Sequence, residues 1–106
     1  MRAKLQNLQQ LHSGRSFICY ELKIPRFEFF WHFHPEYELT YIIKGRGRRL
    51  VGDSVENFRE GDLVLIGPQV PHSWVSDAKR KEQCQAIVLQ FPISFVDTLF
   101  RMPELE

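Results

Sequence analysis

The chain has 106 residues and a mass of 12.6 kDa, the size of one domain, and such a domain can bury about two-thirds of its unfolded surface. Hydrophobic residues make up 43% and charged residues 25%, which excludes a disordered chain. Fourteen Lys and Arg against thirteen Asp and Glu leave a net charge of +1, unlike the basic excess of a protein that coats nucleic acid. No apolar run approaches the roughly 18 to 20 residues of a membrane span, and the N-terminus lacks the apolar centre of a secretory signal. Cys19 and Cys84 have no CxxC partner; they read as small reduced hydrophobes in a cytoplasmic protein.

In chain order, residues 1–14 place Leu5, Leu8 and Leu11 at a spacing of three, an N-terminal arm or short helix ended by Gly14. From Ser16 the texture changes to short apolar runs cut by Gly, Pro and Asp at intervals of about ten residues, the pattern of an all-β sandwich or barrel. Strands are expected near 16–23, 27–34, 37–44, 46–51, 55–59, 62–66, 72–76 and 84–91. The separators are turn-formers: Pro25, Pro35, Gly45, Gly52-Asp53, Gly61-Asp62 and Gly67-Pro68. The Asp77–Lys81 stretch is a charged loop. Residues 93–106 begin a helix, with Ser94 as its expected N-cap and Phe95, Leu99 and Met102 on one face.

Chemistry concentrates in Trp31-His32-Phe33-His34-Pro35-Glu36-Tyr37-Glu38. Strand side chains alternate, so His32 and His34 face one way, and Glu36 and Glu38 share their parity if Pro35 does not spoil the count. His72, some forty residues on, offers a third imidazole. Three imidazoles, His32, His34 and His72, and one carboxylate, Glu36 or Glu38, suit one divalent ion such as Zn, Fe, Mn, Ni or Cu, and the motif spacing below selects Glu38. A His-x-His pair on a solvated strand face is the plainer alternative, and a barrel with satisfied, metal-free histidines is another. If the histidine face is inward, parity makes Phe30, Ile42, Val64, Ile66 and Trp74 walls of a ligand pocket. Trp74 stacks on a ligand or simply fills the barrel.

The opposite faces of two adjacent strands carry Phe27, Phe29, Trp31 and Phe33, and Tyr37, Leu39, Tyr41 and Ile43. Such faces need cover, from a terminal segment or from a second subunit; a homodimer is expected. The basic cluster Lys44–Arg49 reads as a solvated hairpin whose arginines discourage edge pairing.

The spacing His32, His34, Glu38, Gly45, followed by Gly61 and His72, resembles the two motifs of the cupin superfamily, a double-stranded β-helix or jelly roll. The second motif departs from that pattern at Gly67 and Gln69, where cupins have Pro and Gly, and at Ser76, where many have Asn. Gly61-Asp-Leu-Val-Leu-Ile-Gly-Pro-Gln-Val-Pro-His72-Ser-Trp74 and Trp31-His-Phe-His-Pro-Glu-Tyr-Glu-Leu-Thr-Tyr-Ile42 are similar to the cupin-type N-terminal sensor domain of AraC-family transcription regulators. The resemblance covers residues 15–106, with 15–92 as the barrel and 93–106 as the start of a linking or dimerisation helix. It implies a domain that binds a small-molecule effector, dimerises, and meets DNA only through a C-terminal helix-turn-helix part not present in this sequence. The alternative is a stand-alone metal-dependent cupin enzyme, a dioxygenase or isomerase, with Glu36 or Tyr41 as nominal acid or base.

Overall fold

Alternating burial organises the chain, because a strand with one apolar face is stable only when that face meets another. The computed structural model describes residues 2–6, 17–77 and 83–101. Among these, β1 is Lys4–Leu5, β2 Ile18–Ile24, β3 His32–Phe33, β4 Tyr37–Lys44, β5 Gly47–Val51, β6 Ser54–Phe58, β7 Leu63–Ile66, β8 His72–Ser76 and β9 Cys84–Phe91, followed by helix α1, Ile93–Phe100. Two sheets face each other as a jelly roll. One runs β1-β3-β8-β5-β6 and the other β2-β9-β4-β7.

The second sheet sets the inner surface. β9 buries Cys84, Ala86, Val88 and Gln90 while its alternate residues face outward, and β4 buries Glu38, Thr40 and Ile42 in the same way. Register aligns these rows, with Glu38 opposite Gln90, Thr40 opposite Val88 and Ile42 opposite Ala86. At one end of the barrel Phe27, Ile42, Phe58, Cys84 and Ala86 form the apolar core. Phe58 packs edge-on against Phe27 at 5.7 Å and Trp74 at 5.4 Å. The other end holds the histidines.

Where expectation and structure differ, hydrogen bonding explains the difference. The run 27–34 forms a ladder only at His32–Phe33. Before it, hydroxyls on β8 take over as partners: Ser76 Oγ accepts from Phe27 N at 2.7 Å and Ser73 Oγ from Phe30 N at 2.8 Å. Ser76, one of the departures from the cupin pattern, thus clamps an irregular segment against β8. Part of the N-terminal arm is a strand, β1, which lies parallel to β3 and places Lys4 beside His32 and Leu5 beside Phe33. Residues 7–16, with Leu8 and Leu11, lie outside the described residues, as do 78–82 of the charged loop and 102–106. Helix α1 begins at Ile93, so Ser94 sits inside its first turn rather than ahead of it. Phe95 then packs on Phe91 at 5.6 Å and Phe17 at 6.1 Å.

Two glycines are fixed by geometry. Gly45 has φ +126, a conformation that side chains rarely adopt. Gly47 has ordinary backbone angles, but a Cβ there would collide with the Val75 carbonyl and Ser76 Cα of the neighbouring strand. Gly47→Ala is therefore expected to destabilise the domain by more than the ~1–3 kcal/mol usual for overpacking, since backbone cannot yield as a side chain does. Urea unfolding followed by circular dichroism checks it; an unchanged midpoint contradicts the close approach.

Candidate metal centre and adjoining cavity

The four sequence-predicted ligands converge. His32 on β3 pairs directly with His72 on β8. His34 follows β3, and Glu38 rises from β4 of the opposite sheet. One ligand atom from each of His32, His34, Glu38 and His72 lies within 4.8 Å of the others. Donors bound at ~2.1 Å to one ion sit at most ~4.2 Å apart, so a contraction of about half an ångström closes the site. His34, Glu38 and His72 are buried; His32 is half-buried.

Backbone carbonyls choose the imidazole tautomers. His32 Nδ1 donates to the Phe30 carbonyl at 2.7 Å, His34 Nδ1 to that of Glu36 at 3.0 Å, and His72 Nδ1 to that of Val70 at 2.8 Å. Each ring therefore turns its Nε2 toward the centre, as metal-binding histidines do when a second partner fixes the other nitrogen. His72 Nε2 is buried without a hydrogen-bond partner and stands 3.5 Å from Glu38 Oε1. An orphaned buried nitrogen is costly, and a cation at the centre would satisfy it. The donor set thus fits a borderline divalent ion.

The carboxylate is held as firmly as the imidazoles. Glu38 Oε2 accepts from Thr40 Oγ1 at 2.8 Å, while Oε1 accepts from Gln90 Nε2 at 3.0 Å and His34 Nε2 at 3.2 Å. Burial alone would raise the Glu38 pKa, but the hydrogen bonds from His34 and Thr40 and the nearby His72 hold it well below the usual carboxylate range. For His34, burial works against the charged form, and the hydrogen bond and charge of Glu38 outweigh it, raising the pKa. Burial lowers that of His32. A metal ion held here would displace the proton that His34 shares with Glu38.

Glu36 stands apart from the cluster. It is buried, and its carbonyl orients His34, but its carboxylate lies 3.9 Å from Nδ1 on the far side of that ring. Tyr41, the other nominal acid or base, points out of the barrel and is exposed. Thr40, Gln90 and Tyr20 escaped sequence reasoning. Gln90 carried a readable signal: it interrupts the inward series Cys84, Ala86, Val88 with an amide.

The loop that delivers His72 repays the departure at residue 69. Gln69 is the one non-glycine residue with positive φ among those described, at 65°, where the cupin pattern has Gly. Its N–H donates to the His34 carbonyl at 2.8 Å, tying the two ligand segments together. Left-handed backbone disfavours a side chain by ~1–2 kcal/mol, partly offset by glycine's greater freedom when unfolded.

Beside the cluster lies a cavity of about 260 Å³. Leu22 and Ile24 of β2 and Ala86 and Val88 of β9 form one side, and Phe27 and Trp74 the other. It meets the cluster through His32 and Glu38. Tyr20 also lines it, its pKa pushed up to about 12 by burial and by the Glu38 charge against a hydrogen bond from Gln90. Of the expected wall residues, Phe30 and Trp74 line this cavity; Ile42, Val64 and Ile66 do not. Ile42 is inward but sealed in the apolar end, while Val64 and Ile66 lie on β7, beyond β4 from the β2–β9 floor. Parity gives the face, not the position along the barrel.

A two-sheet barrel with imidazoles and an acid converging inside it is the architecture of a cupin, and cupin barrel proteins are among the solved structures similar to this chain. A Cupin 2 conserved barrel domain protein from Salinispora arenicola CNS-205 aligns with TM-score 0.64 at 23% identity, over 80% of this chain and 71% of that one. The plu4264 protein from Photorhabdus luminescens gives 0.64 at 18%, over 83% and 76%. The FeII form of HppE gives 0.60 at 15%, over 72% of this chain and 43% of that one. At these identities the likeness shows the fold. No curated protein is similar enough in sequence to match. Residues 15–103 match the AraC-like ligand binding domain, and the chain belongs to that family. Among the described residues no helix is long and apolar enough to cross a membrane.

Two outcomes check this local account. Gln69→Gly is expected to stabilise the domain by about 0.5–1 kcal/mol in urea unfolding, and destabilisation contradicts the strain. Tyr20, with a folded pKa above its unfolded value of 10, contributes stability that is full below pH 10 and is lost as pH rises toward about 12. Stability curves of the wild type should fall more steeply than those of Tyr20→Phe across that window, and parallel curves contradict the assignment.

Proposed function

We propose that this domain is the effector-sensing half of an AraC-type transcription regulator, in which a small molecule bound inside the barrel biases attached DNA-binding units. The observation that carries the reading is the family match over residues 15–103, joined to an apolar cavity that opens onto a polar, preorganised cluster. Sensing requires unequal affinity for two states, because a ligand that binds both equally shifts nothing. His32, His34, Glu38 and His72 hold one divalent ion in this reading, and the ion supplies a fixed positive charge beside the ligand. Zn, Fe, Mn, Ni and Cu all suit the donors. The protein is read as cytoplasmic.

A homodimer is part of the same proposal. Tyr41, Leu63, Leu65 and Ile87 are exposed on the outer face of the β2-β9-β4-β7 sheet, and Phe95 of α1 already packs at one end of that face through Phe91. A second copy extends that cover. DNA contact belongs to a C-terminal part outside this sequence.

A second reading, a metal-dependent cupin enzyme, draws support from the complete ligand set and from the likeness to HppE, an iron(II) form of which is a solved structure. Effector-dependent DNA binding by a protein carrying this domain favours the sensor. Turnover by the isolated domain in oxygen-uptake or isomerase assays favours the enzyme.

Metal binding is tested by titrating the purified domain with Zn²⁺. One ion per chain is expected, with His34→Ala abolishing stoichiometric uptake. Gln90→Leu, which frees the Glu38 carboxylate without touching the ion, is expected to weaken affinity about 10- to 100-fold. Wild-type affinity in both variants contradicts the site.

A further inference from the structure

The candidate metal centre has a second acid beside it that takes no part in the ligand set. Among the described residues the buried acids are Glu38 and Glu36, and no lysine or arginine is buried. The two acids stand on opposite sides of one imidazole. Glu38 Oε1 is 3.2 Å from His34 Nε2, and Glu36 Oε1 is 3.9 Å from His34 Nδ1. Thr40 and Gln90 hold Glu38 as well, whereas Glu36 Oε1 is buried without a hydrogen-bond partner. Such an oxygen is a standing cost, because nothing replaces the water it has lost.

Backbone, not the carboxylate, fixes the position of Glu36. Its carbonyl accepts from His34 Nδ1 at 3.0 Å, and Pro35 before it locks one backbone angle. Tyr37 after it starts β4, with its ring stacked on Phe91 at 5.4 Å. At the other end of the segment, the Gln69 N–H donates to the His34 carbonyl at 2.8 Å. None of these contacts uses the Glu36 side chain. Charge supplies a reason for it. Three neutral imidazoles and the Glu38 carboxylate leave a divalent ion with one net positive charge, and a net charge inside an apolar barrel is costly. One further carboxylate, close by but not coordinating, brings the buried total to zero. It acts through His34, because a ligand imidazole whose outer N–H faces acceptor charge is a better electron donor to the ion.

We infer that Glu36 is the charge-balancing partner of His34: its carboxylate stays outside the ligand set, behind the imidazole, and offsets the positive charge that a bound divalent ion leaves in the barrel. This inference rests on the metal reading of His32, His34, Glu38 and His72 and adds a fifth residue to it. The effect of the side chain then changes sign with loading. Its carboxylate weighs against the metal-free fold and favours the metal-bound one.

Glu36→Gln tests this, because the amide keeps the size of the side chain and leaves in place the backbone carbonyl that orients His34. Zinc affinity of chelator-stripped protein is read by competition with a chromophoric chelator, and metal-free stability by urea unfolding. The variant is expected to bind Zn²⁺ about tenfold more weakly than wild type. Without metal it should unfold at the same urea concentration as wild type or at a higher one. Glu21→Gln removes an equal charge from the exposed face of β2, where Glu21 pairs with Lys23, and should leave zinc affinity unchanged. A buried charge is little screened, so raising the salt from about 50 to about 500 mM should leave the Glu36→Gln deficit in place. Equal zinc affinity in Glu36→Gln and wild type overturns the inference and leaves the metal centre standing. So does a metal-free variant that unfolds at lower urea or does not fold, since that marks the carboxylate as a structural prop. A deficit that disappears in salt, or that Glu21→Gln shares, overturns it by assigning the effect to net charge. Wild type that takes up no zinc sinks the metal reading, and this inference falls with it.

Discussion

Burying three imidazoles and a carboxylate inside a small apolar barrel is costly unless each polar atom has a partner, and that constraint shapes the rest of the domain. Three backbone carbonyls, of Phe30, Glu36 and Val70, fix the outer nitrogens. Thr40 and Gln90 fix the carboxylate from their own strands. The inner nitrogens then have only one another and Glu38 to meet. The cluster joins the sheets as well, because His32 and His72 come from one and Glu38 from the other. Its organisation is thus a fold property before it is a functional one.

The same economy explains the irregular parts. The segment before β3 gives up ladder pairing and takes hydroxyl partners from β8, which lets the chain bend across the barrel before reaching His32. The loop before β8 accepts a strained Gln69 in return for the bond to the His34 carbonyl. Both compromises lie within a few residues of a histidine of the cluster, where local strain is commonly tolerated for the sake of position.

Much of this was legible in the sequence, and for identifiable reasons. An all-β sandwich or barrel followed from apolar runs cut by turn-formers every ten residues, the jelly roll from the resemblance to cupins, and the spacing of His32, His34, Glu38 and His72 singled out the four side chains that meet inside it. Cavity walls were less legible. Phe30 and Trp74 sit beside ligands and were placed with them, whereas Ile42, Val64 and Ile66 share the inward parity yet occupy another part of the barrel. Alternation reports which face a side chain takes and is silent on depth. Gln90 and Tyr20 were hidden for a related reason: their importance comes from register with Glu38 across strands distant in sequence. The arm was ambiguous because Lys4–Leu5 becomes a strand only by pairing with β3.

Family membership, a largely apolar cavity and an ordered polar cluster together describe a ligand-binding cupin domain. The central claim is that the three imidazoles and Glu38 take hold of a single ion. X-ray absorption at the metal edge, on protein loaded with one equivalent of zinc or iron(II), reads that coordination directly. The account predicts nitrogen and oxygen neighbours near 2.0–2.2 Å with the outer-sphere scattering of three imidazoles. A spectrum of an ion surrounded by water, or one with fewer than two imidazoles, would contradict it.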